Sequence, residues 1–276
     1  MQKTITFPSE VSGMAINGSC QSTVMFEPAK PDTGIVFIRN DLLEKPEVEC
    51  LPNYAFVNKR WSSLMKDGVY IEHTEHVLAA IAALEITNIR IHLNCPYLPV
   101  ISDFSSWGFM QALLEAVPIT QTAPKKFIAV KEPLWVLDSF ETKGGNRYDS
   151  LLLGLPSTNF SITYLLNYPD KEIPTQLAHF STAKDDQSLS EFAKARSFIL
   201  DSEYDSMMQL FGENIKKCLM IPSDKTKLRW SNEIARHKVL DLVGDLMLLG
   251  KPIKGHFIGF RSGHSANIDM VRLLNR

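Results

Sequence analysis

Residues 236–250 read RHKVLDLVGDLMLLG, and they form the centre of the best-patterned helix in the sequence. Apolar residues recur at helical spacing from 232 to 249, which predicts one long helix over that range. Lys251 and Pro252 end this helix, because proline cannot continue it. The next residues, 253–260, are rich in Ile and Phe and predict a strand.

Outside this segment, strand-like and helix-like stretches alternate on both sides of a turn-rich connector at 120–126. Further strands are predicted at 4–7, 23–26, 34–38, 61–64, 69–71, 88–93, 127–137, 150–155, 161–166 and 218–221. Further helices are predicted at 74–85, 107–116, 188–196, 203–211 and from SGHSAN (262–267) onward. The first of these helices is amphipathic, with Thr74 as its expected N-cap. This pattern predicts α/β or α+β layering, with domains at 1–124 and 125–276.

The composition excludes several classes of protein. The 29 Lys and Arg against 31 Asp and Glu leave a net charge of −2, so no overall positive field is available for nucleic acid. Apolar stretches end well before the length of a membrane span, and the N-terminus lacks the apolar segment of a signal peptide. The four cysteines lie far apart without a Cys-x-x-Cys pair, which favours the reducing cytoplasm. The sequence indicates no protein partner.

Possible metal ligands lie on the long helix. His237 and Asp241 are four residues apart, so both point from one face, about one helical turn apart. Asp245 extends the same row by a further turn. A third ligand from another element would complete the three-ligand pattern of a catalytic zinc site, which leaves one position for water. His76 is the candidate, because the neighbouring Glu75 is a base that such a water needs.

Other interpretations of these residues stay open. A histidine and an aspartate on a helix are more often surface residues, and a glutamate at a helix start is favourable without any catalytic role. Against the first alternative, His237 and Asp241 interrupt a strongly apolar run, where polar groups need partners. His73 is a rival ligand to His76, from which it is three residues distant, or a residue without any role in metal binding.

Several segments carry a resemblance to a known family. In order they are IEHTEHVLAAIAALEITNIRIHLNCPYLP, KKFIAVKEPLWV, FAKARSFIL, RHKVLDLVGDLMLLG and GFRSGHSAN. Their order and spacing resemble those of the zinc-dependent UDP-3-O-acyl-N-acetylglucosamine deacetylases of lipid A synthesis, over nearly the whole chain. The resemblance implies two similar domains, each a β-sheet layered with α-helices, with the active site between them.

The resemblance also implies roles for individual residues. The implied zinc ligands are His76, His237 and Asp241. The implied catalytic residues are Glu75 as general base, His264 as general acid or electrostatic stabiliser, Asp245 as its orienting carboxylate and Ser197 as a hydroxyl for the carbonyl oxygen. The implied substrate-binding residues are Lys238 and Phe198. Ser197 stands where the family usually has Thr, so the hydroxyl is kept and the methyl group is lost.

The sequence departs from the family pattern at three places. Ala15 in GMAING replaces a histidine, and Phe104 in ISDFSSW stands where the family has glycine. After Ser197 the segment is apolar enough to line a passage for an acyl chain, although the same residues would suit an ordinary core, and the family's Gly-Gly-Ser turn is missing. We therefore expect a shortened or reshaped passage and a preference for shorter acyl chains.

The expected function is a cytoplasmic zinc-dependent amidohydrolase that removes acetate from UDP-3-O-acyl-N-acetylglucosamine in lipid A biosynthesis. One alternative is the same reaction on a differently acylated or unacylated N-acetyl sugar. A second alternative is a binding or regulatory relative that keeps zinc for stability and has lost turnover. Glu75, His264 and Asp245 argue against the second alternative, because a structural zinc site needs no base beside an open position.

Overall fold

The computed structural model describes residues 1–141, 145–168, 173–183 and 191–276. The α-helices are α1 (Glu75–Ala83), α2 (Trp107–Glu115), α3 (Tyr204–Phe211), α4 (Glu233–Leu246) and α5 (His264–Leu274). Residues 191–193 are also helical, whereas the beginning of the helix predicted at 188–196 lies outside the described residues.

The strands of the first half are β1 (Lys3–Ile5), β2 (Ser9–Ala15), β3 (Gln21–Pro28), β4 (Ile35–Arg39), β5 (Glu47–Glu49), β6 (Ala55–Asn58), β7 (Trp61–Lys66), β8 (Val69–Glu72), β9 (Ile89–Leu93), β10 (Pro99–Val100) and β11 (Pro118–Thr120). Those of the second half are β12 (Ile128–Ala129), β13 (Leu134–Glu141), β14 (Arg147–Leu155), β15 (Phe160–Leu166), β16 (Gln176–Ser181), β17 (Phe198–Leu200), β18 (Leu219–Ile221) and β19 (Ile253–Phe260).

Each half of the chain builds one large mixed sheet. The first has the order β10-β2-β3-β9-β4-β5, and the second has the order β13-β14-β19-β15-β16, with β12 beside β19. Within the first sheet β4 and β9 run parallel, and within the second β15 and β19 do the same, while the other pairs along each path are antiparallel. The predicted α+β fold with two similar sheet-and-helix units is therefore confirmed.

Helices connect the two sheets. Helix α2 packs against β2 of the first sheet, α4 packs against β15 and β16 of the second, and α1 contacts both of these helices. Residues 75–81 of α1 are all buried, so this helix is central and not amphipathic as predicted. Helix α4 approaches α1 closely at Gly244, where a Cβ atom would lie 2.0 Å from the carbonyl oxygen of Glu75. The packing of these two helices therefore requires glycine at 244.

Two smaller sheets frame the space beside these helices. The β6-β7-β8 sheet leads directly into α1, and the parallel pair β17-β18 carries the segment after Ser197. Within the described ranges, none of the helices combines the length and the apolar character that a membrane span requires.

Thr74 is the N-cap residue of α1 as predicted, but its hydroxyl donates a hydrogen bond to the carbonyl oxygen of Ser62 and makes no capping hydrogen bond to the helix. Two other sequence-based expectations need correction. The strand predicted at 127–137 is divided into β12 and β13, which join different partners, β19 and β14. The long α-helix α4 ends at Leu246, and the last residues of its predicted range, Met247–Leu249, form a single 3-10 turn.

Candidate active site

A cavity of about 500 Å³ lies between residues of both halves. It is lined by the predicted site residues Glu75, His76, Ser197, Phe198, His237, Lys238, Asp241 and His264, together with His73 and Phe104. Asp245 is the exception, because it is fully buried behind His264. The structure thus brings together Glu75 and His264, which are 189 positions apart in the sequence.

His76, His237 and Asp241 form a group that is suited to a metal ion. Their possible ligand atoms all lie within 4.8 Å of one another, and all three side chains are buried. Asp241 Oδ1 lies 3.3 Å from His237 Nε2 and 3.8 Å from His76 Nε2. One carboxylate oxygen and two ring nitrogens therefore face a common point.

The surrounding hydrogen bonds fix the orientation of two of these ligands. His237 Nδ1 lies 3.1 Å from the carbonyl oxygen of Ala195, to which it can donate only as N–H, so Nε2 is left as the unprotonated nitrogen. Burial lowers the pKa of His237 to about 4, which keeps the imidazole neutral, as a metal ligand must be. Asp241 Oδ2 accepts a hydrogen bond of 3.0 Å from Lys238 Nζ, which leaves Oδ1 for a cation. The donor set fits a divalent metal.

Glu75 occupies the first position of α1, beside His76. Its Oε2 accepts hydrogen bonds from the backbone N–H and the hydroxyl of Ser62, at 3.1 and 3.0 Å. Burial raises the pKa of Glu75 to about 7, against the opposing effect of His264. A carboxyl group with such a pKa can exchange a proton near neutral pH.

His264 begins α5 on the other side of the cavity. Its Nδ1 lies 2.7 Å from Asp245 Oδ2, which also accepts a hydrogen bond of 2.8 Å from Asn267. Burial disfavours the imidazolium, but Asp245 and Glu75 outweigh burial and raise the pKa of His264 to about 9. His264 Nε2 points into the cavity and lies 4.0 Å from Glu75 Oε1.

Lys238 and Phe198 lie together beside the metal group. Lys238 Nζ is 5.6 Å from the centre of the Phe198 ring, whose edge packs against His237. The backbone N–H of Ser197 donates to the carbonyl oxygen of Phe104, at 3.0 Å. The preceding Arg196 is fixed by the fully buried Glu233 at 2.8 Å, so the start of β17 is anchored to α4.

His73 forms a second possible metal group with Glu75 and His76. Its Nε2 lies 3.9 Å from Glu75 Oε1, and its ring centre lies 4.7 Å from that of His76. Among the described residues, Nδ1 of His73 has no hydrogen-bond partner within normal geometry. The alternative ligand considered from the sequence is thus close to the site.

Several residues of the site were not identified from the sequence. Ser62 precedes Glu75 by 13 positions on β7, and its contact depends on the packing of that strand against α1. Asn267 contacts Asp245 because it lies one helical turn after His264 on α5, a spacing that could have identified it. Tyr168 and Arg261 also line the cavity, but only the fold brings them there.

Two histidines and a carboxylate around one point, with a base and a cationic histidine beside them, are typical of a hydrolytic metalloenzyme. A sequence model of the UDP-3-O-acyl N-acetylglycosamine deacetylase (LpxC) family matches residues 2–276. The chain belongs to this family. The predicted family and enzyme class, a deacetylase, are confirmed.

Individual relatives agree with this family. The UDP-3-O-acyl-N-acetylglucosamine deacetylase of Chlamydia abortus is 30% identical over 279 residues, which cover 98% of this chain and 95% of the relative. The enzyme of the same name from Myxococcus xanthus is 28% identical over 279 residues, 98% of this chain and 85% of the relative. The bifunctional enzyme LpxC/FabZ of Chlorobaculum tepidum is 30% identical over 308 residues, and this chain spans 64% of its length.

Proposed function

We propose that the chain is a zinc-dependent amidohydrolase that removes acetate from UDP-3-O-acyl-N-acetylglucosamine in lipid A biosynthesis. The observation that carries the proposal is the presence of a metal group, a buried carboxyl group and a cationic histidine in one cavity. Family membership supports the substrate class, a UDP-linked acylated amino sugar. Zinc is the metal we infer, because two histidines and one carboxylate leave a coordination position open, as in catalytic zinc sites.

In this proposal His76, His237 and Asp241 hold the metal ion. When bound, zinc supplies Lewis acidity, which activates both a water molecule and an amide carbonyl. Lys238 contacts the oxygen of Asp241 that does not face the two histidines. Burial raises the pKa of Asp241, but His237 and Lys238 outweigh burial and hold this pKa well below its usual value, so the carboxylate stays charged.

Glu75 and His264 move the protons of the reaction. Hydrolysis breaks the amide C–N bond and forms a C–O bond to water, which yields acetate and a free amine. Glu75 Oε1 is free to accept the proton of the attacking water, because Ser62 holds Oε2. His264 Nε2 donates a proton to the departing nitrogen, because Asp245 holds Nδ1 and keeps the ring charged. The two groups lie on either side of the same space, 4.0 Å apart.

The remaining site residues position the substrate. The Ser197 hydroxyl is our candidate donor to the amide oxygen as negative charge develops there. Lys238 and Phe198 offer a cation and an aromatic face for the nucleotide sugar. We also place the domain boundary between residues 124 and 125, before β12 begins the second half.

Two alternatives differ in how well the site supports them. A differently acylated or unacylated sugar is favoured by one observation, the aromatic ring of Phe104 beside the metal group. A binding protein that keeps zinc only for stability would need neither Glu75 nor a charged His264 at an open position. A cytoplasmic location is supported by the four cysteines, which are all free thiols.

An assay of acetate release tests the proposed function. Purified protein should release acetate from UDP-3-O-acyl-N-acetylglucosamine and form the free amine in equal amount. Treatment with a chelator should abolish the activity, and added zinc should restore it. Chelator-resistant acetate release would contradict the role of the metal, and absence of acetate from the zinc-loaded protein would contradict the function.

A further inference from the structure

A second buried apolar cluster lies beside the metal group and is separate from the main core. Its buried members are Ile16, Trp61, Val100, Phe104, Ile199, Met207, Phe211, Ile215 and Cys218. They come from the first half of the chain and from the segment β17, α3 and β18 of the second half. The cluster therefore joins the two halves along one side of the cavity.

Phe104 connects this cluster to the metal group. Its ring packs edge-on against His76 and His73, with ring centres 5.7 and 5.6 Å apart. On its other side the ring meets Phe211 at 5.7 Å, and Phe211 lies 6.3 Å from Trp61. The exposed fractions of Phe104, Phe211 and Trp61 are 2%, 6% and 1%, so protein atoms surround these rings on nearly all sides.

The backbone at Phe104 is unusual for a large side chain. Its φ angle is +57°, in the left-handed region that residues other than glycine rarely adopt. The carbonyl oxygen of Phe104 accepts a hydrogen bond from Ser197, so this conformation is tied to the start of β17. The strained conformation places an aromatic ring against a candidate metal ligand.

The cavity has two unlike sides. Lys238 and Tyr168 both contact Phe198, and Arg261 contacts Asn167, so these lining residues contribute cationic and polar groups. The lining residues of the apolar cluster contribute an apolar wall, with Lys59 and Arg60 at its edge beside Trp61 and Met207; they are Ile16, Trp61, Phe104, Ile199 and Phe211. The proposed function places the acetamide of the sugar at the metal group. An acyl chain on the neighbouring O3 atom must therefore extend from the sugar beside the acetamide. The anionic nucleotide suits the cationic side, so an acyl chain must meet the apolar wall.

We propose that Phe104, supported by Phe211 and Trp61, closes the apolar side of the cavity and restricts the enzyme to sugars with a short O3 acyl chain. A long chain would have to displace rings that are packed against one another. This inference rests on the proposed function, because that function places the acetamide at the metal group. It assigns a role in chain-length specificity to Phe104.

The test compares kcat/KM for UDP-N-acetylglucosamine that carries no O3 acyl group, a four-carbon 3-hydroxyacyl chain or a fourteen-carbon one. Wild-type protein should prefer the four-carbon chain over the fourteen-carbon chain by at least about tenfold, because the packed rings prevent the ten further methylenes from gaining the binding energy of burial and the longer chain must displace them. Phe104→Gly should raise the long-to-short ratio by at least about tenfold. Glycine suits the left-handed backbone, so this variant should fold.

Matched variants separate specificity from stability. Phe104→Leu should change the long-to-short ratio in the same direction by a smaller factor. Phe26→Leu, in β3 and outside the cavity, removes the same atoms from a buried position and should leave the ratio unchanged. A wild-type preference for the longest chain, or an unchanged ratio in Phe104→Gly, would overturn the inference.

Calorimetric titration of the Glu75→Gln variant with the same three sugars compares their affinities without turnover. Weaker binding of the long chain, with affinity regained when Phe104→Gly is added, supports the inference even where no sugar releases acetate. That combination of results would contradict the proposed function alone. Tightest binding of the longest chain to the Glu75→Gln variant would overturn the inference by itself.

Discussion

At the scale of single residues, the two ring nitrogens of His237 face different partners. Nδ1 donates to the carbonyl oxygen of Ala195, and Nε2 faces Asp241 Oδ1 at 3.3 Å. His76 Nε2 approaches the same carboxylate oxygen. The site is thus defined by the orientation of three atoms, and removal of any one of them should affect the metal more than removal of a nearby group.

We predict that purified wild-type protein contains about one zinc ion per chain, the content of a single three-ligand site. His237→Ala and Asp241→Asn should each lose most of this metal, as measured by elemental analysis. His73→Ala serves as the control, because His73 lies outside the group of His76, His237 and Asp241, and it should retain the metal. Full zinc content in His237→Ala, or loss of zinc in His73→Ala, would show that the wrong group has been assigned.

Glu75→Gln separates proton transfer from metal binding. The amide keeps the size of the side chain and can still accept a hydrogen bond from Ser62, but it cannot accept the proton of water. We expect kcat to fall by about two to four orders of magnitude with zinc content unchanged. Steady-state kinetics and metal analysis on one preparation check this, and a fully active variant would require a different base.

The pH profile should depend on His264 and Asp245. The acting form of His264 is protonated, so kcat/KM should fall as pH rises through its pKa of about 9. Asp245→Asn removes the carboxylate that raises this pKa, so the alkaline limb should move to lower pH. Asp269→Asn on α5, the helix of His264, is the control, since Asp269 pairs with Arg272 at the surface. An alkaline limb at the same pH in Asp245→Asn would exclude this pair as the acid.

At the scale of elements, the contact of α1 with α4 places the proposed metal ligands of both halves together. His76 lies on α1, His237 and Asp241 lie on α4, and Gly244 allows the two backbones to approach. A small shift between these helices would separate ligands that belong to one ion. We therefore expect the glycine of the GDL segment to affect metal binding through the packing of these helices.

We predict that Gly244→Ala destabilises the fold by about 1–3 kcal/mol and weakens zinc binding, because the new methyl group overlaps the backbone of Glu75. Thermal unfolding and a competition titration with a chelator measure the two effects. Gly68→Ala in the hairpin between β7 and β8 should cost about 1–2 kcal/mol through its positive φ, with zinc affinity unchanged. Equal zinc affinity in both variants would contradict the role of the close approach.

The elements with strong local patterns could be predicted from the sequence, and the others depend on their neighbours. The strand at Ile253–Phe260 and the helix α4 agree with their predicted ranges to within a few residues. Strand β2 was not predicted, because its burial mostly alternates between half-buried and exposed positions and its sequence, SEVSGMA, has few β-branched or aromatic residues. Pairing with β3 and β10 makes it a strand, and that pairing cannot be read from β2 alone.

At the scale of the whole molecule, the candidate site exists only where the two halves meet. The spacing of His237 and Asp241 predicted two ligands on one helix face, but the approach of His76 and the burial of Glu75 depend on helix packing. Their adjacency in the sequence made His76 and Glu75 candidates, and the resemblance to a family implied the same roles. The position of the Phe104 ring required the folded structure, since its contacts with His76 and Phe211 join three separate segments.

Apolar contacts join the two halves of the molecule. The main core contains buried residues of both large sheets and of the helices between them. The Arg60–Glu203 ion pair at 3.0 Å also crosses between the halves, but as a partly exposed pair it contributes little to stability. Apolar packing therefore holds the halves together.

Anomalous diffraction at the zinc absorption edge, on crystals of the zinc-loaded protein, is the most direct test of a metal site shared by both halves. We predict one strong peak at about 2.0–2.2 Å from His76 Nε2, His237 Nε2 and Asp241 Oδ1. A peak bound by His73, Glu75 and His76, which all belong to the first half, would contradict the shared site.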